Sequence, residues 1–333
     1  MSSSRRAVFT ALGADLLLAV AKFAVWFVTG SASLLSEAIH SLADSANQAM
    51  LVFGMVRAQR AADPRHPYGY GRERFVWALI SAVGVLFVGC GATIAHGVWS
   101  LMEPSPIEHP GIAVGILVLA LVLEGASLVM GYRAVRKRAS DSASTFSEAL
   151  MSDGDTLAVA VVMEDGAAVA GALVALSALG MTWLTGDPRF DSMGSIAIGV
   201  VLGASALFLA HRNRQYLLGV SAPPRTKARV LAVLQDADVV EEVKDVKVTM
   251  LGPDAVRVKA EIEFDGRQLA REYLQNVSLE DIRASTRSDE ELERFLEGYA
   301  EHIVDALGDA VDELEEEIRA AIPEARHVDL ETD

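Results

Sequence analysis

Between Ala7 and Tyr216 lie six apolar stretches, each about 20 residues or more, the length a helix needs to cross a bilayer core of roughly 30 Å. They run from about Ala7 to Val28, Ser33 to Met55, Phe75 to Met102, Ile112 to Tyr132, Thr156 to Leu179 and Ser192 to Leu209. The segments between them hold the breakers: TGSAS, then RAQRAADPRHPYGYGRER, EPSPIEHPG, the polar run RKRASDSASTFSEALMSDGD with room for a short helix, and TWLTGDPRFD. No such stretch recurs beyond Gly219. The expected architecture is an α-helical membrane protein, with six transmembrane helices in residues 1–216 and a separate water-soluble domain in residues 217–333.

Charge sharpens that boundary. Residues 217–333 hold 14 Lys+Arg against 29 Asp+Glu, a net of −15 out of −16 for the whole chain. So acidic a domain argues against nucleic acid and anionic lipid as partners, and suits cations or plain solvation. The single cysteine, Cys90, excludes an internal disulfide framework and a thiolate metal cluster within one chain. The start, MSSSRRAVFT, resembles a signal sequence, but the apolar run after it carries Asp15 and Lys22 and continues past Trp26 at spanning length, which predicts a retained first helix. Loop arginines and lysines gather on one side, from Arg5 and Arg6 through Arg57, Arg60, Arg65, Arg72 and Arg74 to Arg212 and Arg214, whereas the opposite loops offer Arg189. Both termini are therefore expected in the cytoplasm, in a plasma membrane of bacterial type.

The soluble domain reads as a helix over about Arg225 to Leu234, two alternating strands in VKDVKVTMLG and AVRVKAEIEFDG, a charged helical insertion at about 268–297, a long amphipathic helix from about Tyr299 to Ile322, and a last strand in RHVDLE. That order predicts a C-terminal cytoplasmic α+β domain of ferredoxin-like type. A domain this small with one sheet face to cover often dimerises.

The chemistry lies among polar groups inside the apolar stretches. Glu37, His40 and Asp44 fall at i, i+3 and i+7 within SEAIHSLADSANQ, so one helical stripe carries all three, with His40 and Asp44 a single turn apart. Ionisable groups in hydrocarbon are costly unless they face a partner or water. An imidazole and a carboxylate four apart also form a ready-made pair of metal ligands, against the plainer alternative of a polar seam between helices. The fifth stretch supplies Glu164 and Asp165 in VVMEDGAAVAG, near mid-depth, with Asp165 the first choice as a ligand and Glu164 the second. Asp15 and Lys22 can pair with each other or with neighbours, Glu124 is ambiguous, and Asn47 and Gln48 suit bonds between helices. Metal binding to imidazole and carboxylic acid groups displaces protons, so such a site suits metal/proton exchange.

With these residues in hand, the chain resembles the cation diffusion facilitator family of divalent-metal transporters. The likeness rests on GSASLLSEAIHSLAD, on DPRHPYGYGRERF, on the acidic fifth stretch and on the C-terminal domain. It implies a six-span homodimer in the lipid bilayer that is no enzyme and exports a divalent metal ion by metal/proton antiport. It also implies ligands four apart on the second and fifth helices. His40 and Asp44 match the first pair and Asp165 the last position, while Val161 stands four residues earlier and cannot ligate, leaving Glu164 as its substitute. This pattern looks like the zinc-transporter branch with a mitochondrial member in animals, so the implied cargo is Zn²⁺, with Mn²⁺, Co²⁺ and Fe²⁺ as alternatives and protons as counter-ion. Asp63 and His66 match two of three ligands of a second family site, but the third position is Tyr70, which makes them weak candidates. In the soluble domain His327, Asp329, Glu331 and Asp333 form another weak candidate cluster. Two rival readings differ in class: a metal-responsive membrane scaffold or sensor that moves nothing, and an intramembrane metallohydrolase, which lacks the expected pair of histidines.

Overall fold

A computed structural model describes residues 2–141, 145–146, 150, 156–252 and 255–333. The short helix expected in the polar run before Thr156, and the turn expected at Gly252–Asp254, fall largely outside the described residues. The chain divides into two compact units, Met1–Leu218 and Gly219–Asp333.

Among the described residues, six long helices build the first unit: α1 (Ser2–Thr29), α2 (Ala32–Ala58), α3 (Glu73–Met102), α4 (Pro110–Asp141), α5 (Thr156–Thr185) and α6 (Arg189–Leu218). Among the described residues, α3, α6 and most of α4 and α5 are long and apolar enough to cross a membrane. The two helices short of that composition are those whose stripes carry Asp15 and Lys22, or Glu37, His40 and Asp44.

Helix α2 is the hub, packed against α1, α3, α5 and α6. Its start is set locally. Gly30 turns the chain at φ 67°, a conformation open to glycine without steric cost, and the Ser31 side chain then accepts from the Leu34 N–H as N-cap. Small residues let α3 and α6 approach closely: a Cβ on Gly97 would meet Ser195 and Ile196, one on Gly199 would meet Ile94, and one on Gly203 would meet the Cys90 sulfur. Within α3, residues Val85–Cys90 form a π-helical segment, a wider turn that recurs at functional sites.

The second unit holds α7 (Pro224–Asp236), β1 (Val240–Gly252), β2 (Ala255–Phe264), α8 (Gly266–Asn276), α9 (Leu279–Ser285), α10 (Asp289–Ala321) and β3 (Ala325–Thr332). Its sheet runs β1-β2-β3, with β1 antiparallel to β2 (Val248 opposite Val258) and β2 parallel to β3 (Val258 opposite Val328). Alternation along β2 buries Val256, Val258, Ala260 and Ile262 against Val230, Leu234 and Ile318 of the helices. These three strands are one fewer than the full β-α-β-β-α-β order of a ferredoxin-like domain. The long helix starts ten residues before the expected Tyr299, because Ser288 and Glu291 form a capping box inside the charged insertion.

Candidate metal site

Helix α2 carries His40 and Asp44 one turn apart, and His40 is 1% exposed. Its Nε2 pairs with Asp44 Oδ2 at 3.0 Å, and its Nδ1 is buried without a hydrogen-bond partner among the described residues. One turn further along α2, the Asn47 side-chain amide donates to Glu164 Oε1 on α5. That bond brings the α5 carboxylate to the α2 stripe and leaves Glu164 Oε2 buried and unpartnered among the described residues.

His40, Asp44, Asn47 and Glu164 line one cavity, closed by Ala82 and Val85 of α3 and by Leu202, Ser205, Ala206 and Leu209 of α6. Val85 is also the first residue of the π-helical segment. The cavity volume is about 10 Å³, the space of roughly one water-sized sphere. That is room for one water molecule or one dehydrated ion. Buried polar atoms in folded proteins nearly always find partners. Unpartnered imidazole and carboxylate atoms around an ion-sized space are the donor set a divalent transition metal takes. Among the described residues no three His, Cys, Asp or Glu side chains stand close enough together to hold a metal ion as they are.

Asp165, the next residue along α5, points about 100° away from Glu164. It is hydrogen-bonded with Ser127 of α4 and is not among the residues lining the cavity. Gln48 donates to Asp15 at 2.9 Å, so Asn47 and Gln48 both bond between helices, as expected.

Two features escaped sequence reasoning. The Lys22 ammonium of α1 donates to Glu37 Oε2 at 3.0 Å, to Ser41 Oγ at 2.8 Å and to Glu124 Oε1 of α4 at 2.9 Å. Glu37, the third member of the α2 stripe, thus belongs to an ion-pair triad beside the cavity. The only signal for it was three charges in separate apolar stretches, whose pairing depends on how the helices are rotated. The second is Asp191 at the start of α6, 2% exposed, whose carboxylate accepts from the Ala32 and Ser33 N–H groups and from Ser31 Oγ at the start of α2.

The weaker candidates lie apart from the cavity, and Asp63 and His66 meet each other, with His66 Nδ1 3.5 Å from Asp63 Oδ1. Asp63 accepts from the Tyr70 hydroxyl at 2.7 Å and from the Arg65 and His66 N–H groups, so both its oxygens serve the loop itself. The Tyr70 hydrogen bond, followed by the backbone bond from His66, holds its carboxyl below the ordinary range, and the same bond pushes the Tyr70 phenol up. His66 is exposed and lies against the Tyr70 ring at 4.3 Å. On β3, Asp329 pairs with Arg257 at 2.7 Å and Glu331 with Lys259 at 2.7 Å. The Asp333 N–H bonds to the Ile262 carbonyl, and His327 sits opposite Arg257 in the strand register.

An apolar bundle of long helices with ionisable groups at its centre defines a class, that of multi-pass helical membrane proteins. The cation efflux transmembrane domain matches residues 8–218, and the chain belongs to that family. It is 40% identical to metal tolerance protein C4 of Arabidopsis thaliana over 98% of this chain and 73% of that protein. It is 42% identical to the mitochondrial proton-coupled zinc antiporter SLC30A9 of Xenopus laevis over 93% of this chain. The chain spans 56% of that antiporter's length. Likeness to the cation-efflux pump FieF of Salmonella typhi is 26% over 78% of this chain.

Proposed function

We propose that this chain exports a divalent transition metal, Zn²⁺ in first place, by exchange for protons, with His40, Asp44 and Glu164 as ligands. The observation that carries the reading is the set of unpartnered atoms of His40 and Glu164 on an ion-sized cavity they share with Asp44. In this reading Glu164 takes precedence over Asp165, because Glu164 lines the cavity. The relatives named proton-coupled zinc antiporter, metal tolerance protein and cation-efflux pump support metal export, and as transporters they disfavour a metallohydrolase. Metal and protons compete for the same imidazole and carboxylate atoms, so an ion that enters expels protons and reprotonation expels the ion. Ligands that share a cavity without closing on one point suit a site that rearranges as the helices rock between its two faces.

All six long helices cross the membrane in this reading. The arginine-rich loops and both termini then lie on one side, and the acidic unit supports a homodimer. Exposed Leu292, Leu296 and Val304 on α10 supply uncovered apolar surface for such contacts. The animal relatives carry "mitochondrial" in their names, so the expected bacterial plasma membrane gains no support from the comparisons.

The test is transport by the full chain in vesicles with an entrapped zinc-sensitive dye. Zn²⁺ flux with counter-moving protons is expected, abolished by Asp44→Ala in a protein that remains folded. Zn²⁺ binding without flux in the wild-type chain would overturn antiport in favour of a metal-responsive scaffold. Flux retained by Asp44→Ala would overturn the site.

A further inference from the structure

The Lys22 cluster lies outside the ligand set, and its charges do not balance. One ammonium faces two carboxylates, Glu37 and Glu124. The ammonium is saturated, its three donors spent on Glu37, Ser41 and Glu124. Each glutamate is only half satisfied: among the described residues, Glu37 Oε1 and Glu124 Oε2 are buried without a hydrogen-bond partner. Fully ionised, the triad would leave one uncompensated negative charge inside an apolar bundle, an arrangement proteins avoid by taking up a proton or a cation.

We propose that the Lys22, Glu37 and Glu124 triad is a proton-carrying site separate from the metal ligands, with the exchanging proton on Glu124. This rests on the antiport reading above and adds where one of its protons travels. Glu124 is chosen over Glu37 because its side chain is 12% exposed, whereas those of Lys22 and Glu37 are fully enclosed. The groups whose charge acts on Glu124 from the packed helices are Lys22 of α1, Glu37 and His40 of α2, and Asp165 of α5. Asp15 of α1 is engaged with Gln48.

Coupling to the metal is short-range. Glu37 precedes His40 by one helical turn, and Ser41, which accepts from Lys22, follows His40 directly. A divalent ion in the cavity compensates the triad's excess negative charge, so the proton leaves Glu124 for water as the metal binds. When the metal departs, a proton from water returns to Glu124. No bond other than O–H is made or broken.

The measurement is the number of protons moved per metal ion by the full chain in proteoliposomes, read with a pH dye and a zinc dye together. Glu124→Gln is expected to lower that ratio by about one, and Glu124→Asp to restore it, which a merely structural role would not do. If Glu124→Gln does not assemble, Lys22→Met combined with Glu37→Gln and Glu124→Gln removes the whole triad without leaving a buried charge unpaired, and is expected to lower the ratio equally. A ratio in these variants equal to that of the wild type overturns the proton site and leaves the antiport reading intact. Absence of any metal flux in the wild type overturns both.

Discussion

Ser31 donates its hydroxyl to Asp191 Oδ1 at 2.9 Å across 160 residues of sequence, joining the first turn of α2 to the first turn of α6. The same carboxyl group accepts from the Ala32 and Ser33 N–H groups, so a buried acceptor sits at the positive end of the helix that carries His40 and Asp44. The axial position of α2 against α6 depends on this cap.

Asp191→Ala therefore leaves the first N–H groups of α2 without their acceptor, at a cost of roughly 1–3 kcal/mol. Thermal unfolding of the purified full chain is expected at a lower temperature than for the wild type, with Asp191→Asn intermediate. An unchanged unfolding temperature for Asp191→Ala would remove the cap from the account of α2.

Gly171 on α5 faces Glu37 so closely that a Cβ there would collide with Glu37 Oε1. Gly171→Ala is expected to push Glu37 off Lys22, costing about 1–3 kcal/mol through overpacking and lowering metal flux. Flux and thermal stability measured side by side check this. Wild-type values of both would show that Glu37 has room the structure denies it.

The two acids of α5 are expected to behave differently. Glu164→Gln removes a cavity carboxylate and should weaken Zn²⁺ binding by about tenfold or more, some 1.4 kcal/mol, while Asp165→Asn, directed to Ser127, should weaken it less. Titration calorimetry on the two variants ranks them, and the reverse order would move the site toward Asp165.

The Asp63 loop has a defined pH dependence. Folding lowers the Asp63 pKa from its ordinary 3.8, chiefly through the Tyr70 hydroxyl. The stability this contributes is thus fully present above that value and is lost only as pH falls through the lower folded-state pKa. Tyr70→Phe is expected to raise the Asp63 pKa toward 3.8. Carboxyl chemical shifts followed through an acid titration test this, and an unmoved Asp63 would exclude the hydroxyl as its main partner.

Sequence and structure agree most closely where the physics is local. The helical period that puts His40 and Asp44 on one stripe, the alternation that makes β2 a strand and the charge step near Leu218 all operate within a few residues. The first two reappear in the structure. The start of α10 departs from expectation for an equally local reason, the capping box of Ser288 and Glu291 inside the polar insertion. The acids of β3 offered no comparable signal, because their cross-strand partners Arg257 and Lys259 lie some seventy residues away.

By itself the sequence determined which long stretches are helices and which polar residues must be accounted for inside them. Hydropathy and periodicity are properties of each segment alone. Only the tertiary structure decided that Lys22 pairs with Glu37 and Glu124 rather than Asp15, that Asn47 draws Glu164 to the cavity while Asp165 turns to Ser127, and that Asp191 caps α2. The reason is rotational: a side chain's partner depends on how each helix is turned about its axis, and that angle is set by the close packing of all the helices together.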